Sequence, residues 1–93
     1  MTIVWSATAE RDLEAIAVHY IEHAGPDVAA RVVRRLTASI LPYTRFPAWA
    51  RPGEAPDTRE IVVRGWPYII VYTVRDEVFE VVSVLPTSRS RRR

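Results

Sequence analysis

The sequence predicts an α+β domain in which a helical hairpin packs on one face of a small antiparallel sheet. Two stretches in the first half place apolar residues at helical spacing, and three stretches rich in β-branched residues fill the second half. Short turn segments separate these three stretches, as in an antiparallel meander. The predicted order of elements is therefore β-α-α-β-β-β, and a chain of 93 residues is long enough for one such domain.

A short strand and two helices are predicted in the first half. Thr2 to Trp5 is an apolar run typical of an edge strand, and Ser6 or Thr8 can cap the helix that follows. Gly25-Pro26 should end the first helix and begin the second, and Pro42 should end or kink the second. Helical spacing predicts the buried stripes: Leu13, Ile16, Ala17 and Tyr20 on the first helix, and Ala29, Val32, Val33, Leu36 and Ile40 on the second.

The second half begins with a proline-rich segment, Phe46 to Asp57, which is predicted to be a loop. Two short connections, Gly65-Trp66-Pro67 and Arg75-Asp76-Glu77, then separate consecutive β-forming runs and should form hairpins. The predicted strands are Arg59 to Arg64, Tyr68 to Val74, and Val78 to Leu85.

The middle strand of this meander is apolar on both faces. Because alternate residues of a strand point to opposite sides, Tyr68, Ile70 and Tyr72 share one face. Ile69 and Val71 lie on the other face. The helical hairpin can cover only one of the two, so we expect a bound partner to cover the face of Ile69 and Val71.

Composition narrows the class of protein. All thirteen basic residues are arginine, so a lysine base is excluded, and the net charge is +2. Cysteine is absent, which excludes disulfides and thiol chemistry. The sequence has no long apolar run and does not begin like a signal peptide, so we expect a cytoplasmic protein with no membrane role. Residues 1–87 form the predicted domain, and residues 88–93 form a basic tail.

Residues with the spacing of a catalytic or metal site are scarce. His19 and His23 match the pattern H-x-x-E-H of one class of zinc protease, but no acidic residue on a later helix completes the ligand set. There is no glycine-rich phosphate loop and no paired carboxylate. Glu60 is expected to pair with an arginine at the surface. We therefore predict no catalytic residues, no metal and no cofactor.

The arginines at the strand ends and the two tryptophans in loops can each have one of two roles. Arginines at the strand ends can form a basic rim that meets phosphates or an acidic partner, or can simply keep an apolar sheet solvated; they are Arg59, Arg64, Arg75, Arg89 and Arg91 to Arg93. Trp49 and Trp66, both in predicted loops, are either lids of the core or anchors for a partner.

These motifs, taken in order, resemble the ParE/RelE superfamily of toxins from bacterial type II toxin–antitoxin pairs, a group linked to plasmid stabilisation. The resemblance covers nearly the whole chain, which is why residues 1–87 are identified as one toxin domain. It is carried by Val4-Trp5-Ser6, Asp12-Leu13-Glu14-Ala15-Ile16, Phe46-Pro47, Arg51-Pro52-Gly53, Thr58-Arg59-Glu60-Ile61-Val62-Val63 and Pro67-Tyr68-Ile69-Ile70-Val71-Tyr72.

The resemblance implies a toxin that a cognate antitoxin neutralises by wrapping around it. RelE-like members cleave messenger RNA on the ribosome and typically carry an arginine where this chain has Ile69. An isoleucine cannot stabilise charge on a scissile phosphate. The ParE-like branch, which poisons DNA gyrase, is therefore favoured, although Pro86 replaces a histidine usual in that branch.

On this interpretation the chain acts by binding gyrase with its DNA rather than by its own bond chemistry, and direct nucleic-acid binding is left open. Arg59, Tyr72 and Arg89 are the candidates for target binding, and the candidates for antitoxin binding are Val62, Ile69 and Val71. Replacing Ile69 with aspartate should then weaken antitoxin binding.

Two alternatives remain at this point. One is a ribosome-dependent endoribonuclease that uses Arg59, Arg89 and Glu60. The other is an interaction module of the same fold that has lost its toxicity.

Overall fold

A computed structural model describes residues 1–89 and contains three helices and a five-stranded sheet. The helices are α1 (Ala7–Ala24), α2 (Pro26–Ala38) and α3 (Leu41–Arg45). The strands are β1 (Thr2–Trp5), β2 (Arg51–Pro52), β3 (Arg59–Val62), β4 (Tyr68–Arg75) and β5 (Val78–Pro86). The sheet order is β1-β5-β4-β3-β2. The predicted α+β class and the helical hairpin are confirmed.

The sheet is mixed, so the prediction of a purely antiparallel sheet is wrong in one respect. The pairs β2–β3, β3–β4 and β4–β5 are antiparallel, but β1 pairs with β5 in parallel, with Ile3 opposite Phe79 and Trp5 opposite Val81. The reason is topological: the helical hairpin carries the chain away from β1, and the meander returns to it. The outer edge of β5 then pairs with β1 and is not left open.

Local signals set the ends of the helices as predicted. Ser6, and not Thr8, caps α1, because its Oγ accepts the backbone N–H of Ala9 at 3.0 Å. Gly25 separates α1 from α2 with φ of 93° and ψ of 163°, a backbone region that is essentially restricted to glycine. The chain then breaks between α2 and α3 just before Pro42, which occupies the first turn of α3.

The segment predicted as a loop contains short regular elements. A 3₁₀ turn spans Pro47–Trp49, and β2 adds a two-residue fifth strand at the edge of β3. Proline is tolerated there because an edge strand needs only one row of hydrogen bonds. Gly53 closes the loop against Thr58, where a Cβ at position 53 would collide with the Thr58 side chain.

The helices pack on one face of the sheet and enclose the core between them. The fully buried large side chains are Tyr72, Phe79, Leu36, Ile70, Val32 and Val81. Trp66 packs against this core and meets Tyr20 edge to face, with ring centroids 5.8 Å apart. Trp66 is thus a core lid, one of the two roles the sequence left open.

The C-terminal prediction is only partly covered by the described residues. β5 ends at Pro86, and Thr87–Arg89 forms a 3₁₀ turn. The remainder of the predicted basic tail, residues 90–93, lies outside the described part of the chain. Within residues 1–89, no helix combines the length and the apolar character needed to cross a membrane.

Candidate functional site

The register of the strands defines two faces of the sheet. Val62 lies opposite Ile69, and Ile69 lies opposite Leu85, so these three side chains share the face that turns away from the helices. Val71 lies on the same face, opposite Glu60 on one side and Ser83 on the other. We call this side the open face. It contains all three residues predicted to bind an antitoxin.

A β-bulge in β5 adds another apolar residue to the open face. Val71 pairs with Ser83 and Tyr72 pairs with Val81, so Val82 is left without a partner in the ladder. The Val82 carbonyl instead accepts a hydrogen bond from Ser6 Oγ at 2.7 Å. The bulge is therefore anchored to the start of α1, while Val82 lines the open face.

The apolar residues of the open face form the base of a groove of about 260 Å³. Ile69, Val71, Val82 and Leu85 supply its apolar surface. Its polar rim comes from the loop before β3, from β3, from β5 and from the turn after β5, through Glu54, Thr58, Glu60, Ser83 and Arg89. An apolar base inside a charged rim is typical of a site for a protein segment.

Exposure differs sharply among the predicted antitoxin-binding residues. Val62 is 53% exposed, Val71 is half-buried, and Ile69 is only 2% exposed. The expectation that Ile69 lies uncovered is wrong, since it is almost fully buried in the central strand, between Val62 on β3 and Leu85 on β5. Ile69 forms the floor of the groove and Val71 is a more accessible apolar residue of it. Val62 lies beside the groove on the open face, opposite Ile69.

Glu60 is a buried carboxylate, which corrects the prediction of a surface ion pair. It is 7% exposed, and its Oε1 accepts Arg51 Nε at 3.0 Å while Arg51 Nη2 also lies 3.0 Å from the same oxygen. Arg51 and Glu60 are register partners on β2 and β3. The pair fixes β2 to β3 at the edge of the groove.

Two of the three predicted target-binding residues lie on the helix side of the sheet. Arg59 and Tyr72 are register partners. The Tyr72 hydroxyl donates to the Pro47 carbonyl, and Arg59 Nη1 donates to the Ala50 carbonyl at 2.7 Å and the Ala48 carbonyl at 3.3 Å. Both side chains hold the 3₁₀ turn against the sheet. Arg89 lies apart from them, exposed beside the groove.

The ionisation of the buried tyrosines reflects their surroundings. Burial raises the pKa of Tyr72 from 10.0 to about 12, against the opposing effect of the Arg59 charge. Burial also raises the pKa of Tyr68 to about 12, with a further contribution from its hydrogen bond to Tyr20. Both phenols are therefore neutral donors at physiological pH and are unsuited to act as bases there.

Val82 and Leu85 belong to the groove but were not identified from the sequence. The signal for Val82 was the pair Val81-Val82, because two consecutive apolar residues in an alternating strand indicate a bulge. Leu85 is directly opposite Ile69, so it could be found only once the register was known.

The two histidines lie one turn apart on α1, as predicted. Their rings stack with centroids 4.4 Å apart, and His23 Nδ1 lies 2.8 Å from the His19 carbonyl oxygen. Among residues 1–89, no three metal-ligating side chains come close enough to hold an ion.

The fold is shared with toxins of the ParE/RelE superfamily. In a toxin–antitoxin structure described as the chromosomal ParDE system from P. aeruginosa, one chain superposes with a TM-score of 0.86 at 25% identity, covering 92% of this chain and 95% of that chain. A chain of the intact E. coli RelBE toxin–antitoxin complex has the same fold, with a TM-score of 0.53 at 24% identity over 89% of this chain and 92% of that chain.

Sequence comparison gives the family. The model of the family described as ParE toxin of the type II toxin–antitoxin system parDE matches residues 3–91. A protein of Sinorhizobium fredii (strain NBRC 101917 / NGR234) named "Putative toxin Y4kP" is 41% identical over 83 residues, which are 89% of this chain and 84% of that protein. This chain belongs to the ParE family of toxins from type II toxin–antitoxin systems.

Proposed function

We propose that this chain is the toxin of a type II toxin–antitoxin pair, that a segment of its antitoxin neutralises it by occupying the open face, and that its target is DNA gyrase bound to DNA. Family membership supports the role as a toxin. The groove between β3, β4 and β5 is the observation that supports binding of an antitoxin.

Apolar burial supplies the affinity in this proposal. Each Å² of apolar surface removed from water contributes about 25 cal/mol before the costs of association. Val62 and Val71 retain accessible surface for such burial, and Ile69 lies buried beside Val62. Arg89 at the rim offers a positive charge that favours an acidic residue on the bound segment.

Substitution of Val62 tests the antitoxin site. Val62→Asp places a charge on the exposed apolar surface of the open face, next to Ile69 at the floor of the groove. We therefore expect its Kd for the cognate antitoxin to rise about 10-fold or more. Val18→Asp is the matched control, since Val18 is 47% exposed on α1, in the other layer of the fold. Equal Kd values for Val62→Asp, Val18→Asp and the unmodified toxin, measured by titration calorimetry, would contradict the site.

Ile69→Asp, which the sequence suggests as a test, separates binding from folding less cleanly. Ile69 is buried, so an aspartate there destabilises the fold as well as the groove. Val71→Asp, at a half-buried position of the same groove, is the better second variant.

The arrangement of the candidate catalytic residues supports a toxin that acts by binding its target rather than by cleaving RNA. The nuclease alternative needs Arg59, Glu60 and Arg89 at one site. Arg59 holds the 3₁₀ turn on the helix side, whereas Glu60 and Arg89 lie at the groove, where Glu60 pairs with Arg51. The apolar base of the groove also lacks the cationic groups that stabilise a scissile phosphate.

Expression of the toxin without its antitoxin tests the target. Inhibition of gyrase predicts arrested growth, broken DNA and loss of supercoiling by purified gyrase when the toxin is added. Rapid cleavage of transcripts with intact DNA would contradict the gyrase target and favour the nuclease. Normal growth would contradict toxicity and favour an interaction module.

A further inference from the structure

We propose that the turn between α3 and β2 binds single-stranded nucleic acid, with an unpaired base stacked on Trp49 and a neighbouring phosphate held in the adjacent arginine-lined cleft. The turn and the cleft lie on the helix side of the domain and are distinct from the groove. Binding there does not depend on whether gyrase is the target.

An aromatic pair is presented to solvent at this turn. The Phe46 and Trp49 rings stack with centroids 4.1 Å apart and an angle of 9° between their planes. Phe46 is 44% exposed, and Trp49 is 68% exposed, more than any other large apolar side chain among the described residues. Because Phe46 covers one face of the indole, the exposed surface of Trp49 is a flat aromatic face of the kind on which bases stack.

The pair is held rigidly before any ligand arrives. The backbone N–H of Trp49 donates to the Phe46 carbonyl at 3.1 Å, which closes the 3₁₀ turn. Tyr72 donates to Pro47, and Arg59 donates to Ala48 and Ala50, so the turn is tied to the sheet at three carbonyls. A preorganised surface loses little conformational entropy on binding. Exposed aromatic side chains on a rigid turn therefore favour a binding role over a packing role.

A cleft of about 610 Å³ adjoins the turn and is lined by arginines. Pro47 and Ala48, which lie between Phe46 and Trp49 in the chain, form part of its wall. Arg59 and Arg75 also line it, and Asp57 is the acidic residue there. Arg75 makes no ion pair with any residue from 1 to 89. The volume accommodates a nucleotide, and an unpaired arginine is suited to a phosphate.

A third arginine adds to the positive charge beside the aromatic pair. The Arg45 guanidinium carbon lies 5.9 Å from the centroid of the Phe46 ring. Flat aromatic surface interleaved with arginine is the arrangement that single-stranded nucleic acids favour, since every base has a stacking face and every phosphate a charge.

The test measures binding of a fluorescein-labelled 12-nucleotide oligothymidine by anisotropy at low salt, with the matched oligothymidine–oligoadenine duplex for comparison. We expect the single strand to bind more tightly than the duplex. Trp49→Ala should raise the Kd about tenfold, and Trp49→Phe should largely restore binding, because the stacking face is retained. Arg75→Glu should raise the Kd and reduce its dependence on salt concentration.

Ile21→Ala is the control, because Ile21 is 50% exposed on α1 and distant in sequence from the turn. Melting temperatures of the variants show whether the fold is retained. Absence of binding by the unmodified toxin, equal affinity for the duplex, or an effect of Trp49→Ala no larger than that of Ile21→Ala would each overturn the proposal. Reduced toxicity of Trp49→Ala with unchanged oligonucleotide binding would also overturn it and indicate a protein contact.

Discussion

At the scale of single residues, Tyr72 joins three parts of the molecule. Its ring stacks on Phe79 with centroids 4.3 Å apart, its hydroxyl donates to Pro47, and it lies opposite Arg59 in the sheet. Core packing, the position of the 3₁₀ turn and the environment of Arg59 therefore all depend on this side chain. Its hydroxyl positions the turn through the bond to Pro47.

Removal of the Tyr72 hydroxyl should lower stability without disturbing the core. Tyr72→Phe leaves the Pro47 carbonyl without its donor, which should lower the free energy of unfolding by roughly 1–2 kcal/mol. Urea denaturation measures this loss. Tyr43→Phe is the control, because Tyr43 is half-buried near the Tyr72 ring and its hydroxyl makes no hydrogen bond within residues 1–89. Equal losses for the two variants would contradict the role of the Pro47 bond.

Alkaline pH should destabilise the fold. The folded state holds the pKa of Tyr68 and that of Tyr72 at about 12, above the ordinary value of 10.0. The unfolded chain therefore loses these protons first as the pH rises, and stability present below pH 10 is lost between pH 10 and 12. Urea denaturation at pH 9 and pH 11 should show a lower free energy of unfolding at pH 11. A smaller fall for Tyr72→Phe is expected, and stability that rises with pH would contradict the assignment.

At the scale of elements, the start of α1 and the bulge of β5 form one unit. Ser6 Oγ accepts the Ala9 N–H and donates to the Val82 carbonyl. Two turns further along α1, a carboxylate oxygen of Asp12 accepts the Val84 N–H at 2.8 Å. The helix thus satisfies backbone groups near the bulge and fixes how far the apolar residues of β5 project into the groove.

Ser6→Ala removes both hydrogen bonds of that unit. We expect it to lower the free energy of unfolding by about 1–2 kcal/mol, since a helix cap and a bond to a buried carbonyl are lost together. Thr8→Ala is the matched control, because Thr8 is exposed and its hydroxyl has only a 3.5 Å contact with Arg11. Thermal and urea denaturation compare the two, and a Thr8→Ala loss as large as that of Ser6→Ala would contradict the capping role.

The turn between β4 and β5 holds two non-glycine residues in a strained backbone conformation. Asp76 and Glu77 have φ of 51° and 64°, the left-handed region that a two-residue hairpin requires and that glycine tolerates best. Glu77→Gly should raise the free energy of unfolding by roughly 0.5–1 kcal/mol. Glu77→Ala, which removes the charge but retains the strain, should not. A similar gain from both variants would assign the effect to charge.

Local signals were sufficient for most elements, and long-range pairing explains the exceptions. Helical spacing, Ser6, Gly25 and Pro42 predicted both long helices, and strand alternation placed β3, β4 and β5 to within two residues. The parallel pairing of β1 and the two-residue β2 depend on partners distant in sequence. No local pattern encodes them.

At the candidate site too, local patterns predicted some features, and others depend on contacts distant in sequence. Alternation in β4 placed Ile69 and Val71 on the open face, but it could not show that the flanking strands nearly bury Ile69. Arg59 and Tyr72 were predicted as target contacts on the sheet under the ParE-like interpretation. Only the folded chain reveals their partners in the 3₁₀ turn.

At the scale of the whole molecule, two distinct surfaces flank the sheet. The groove lies on the open face, and the aromatic pair with its cleft lies at the turn after α3, with Thr58 lining both the groove and the cleft. An antitoxin segment on the open face would thus leave Trp49 accessible, unless a further part of the partner reaches round the loop between β2 and β3.

The most direct measurement is the methyl NMR spectrum of the toxin with and without its antitoxin. If an antitoxin segment occupies the open face, we expect the methyl signals of Val62, Val71, Val82 and Leu85 to shift on binding, while those of Val18 and Ile21 on α1 remain in place. Shifts confined to the helices, with the four open-face residues unaffected, would contradict the claim that the antitoxin occupies the open face of the sheet.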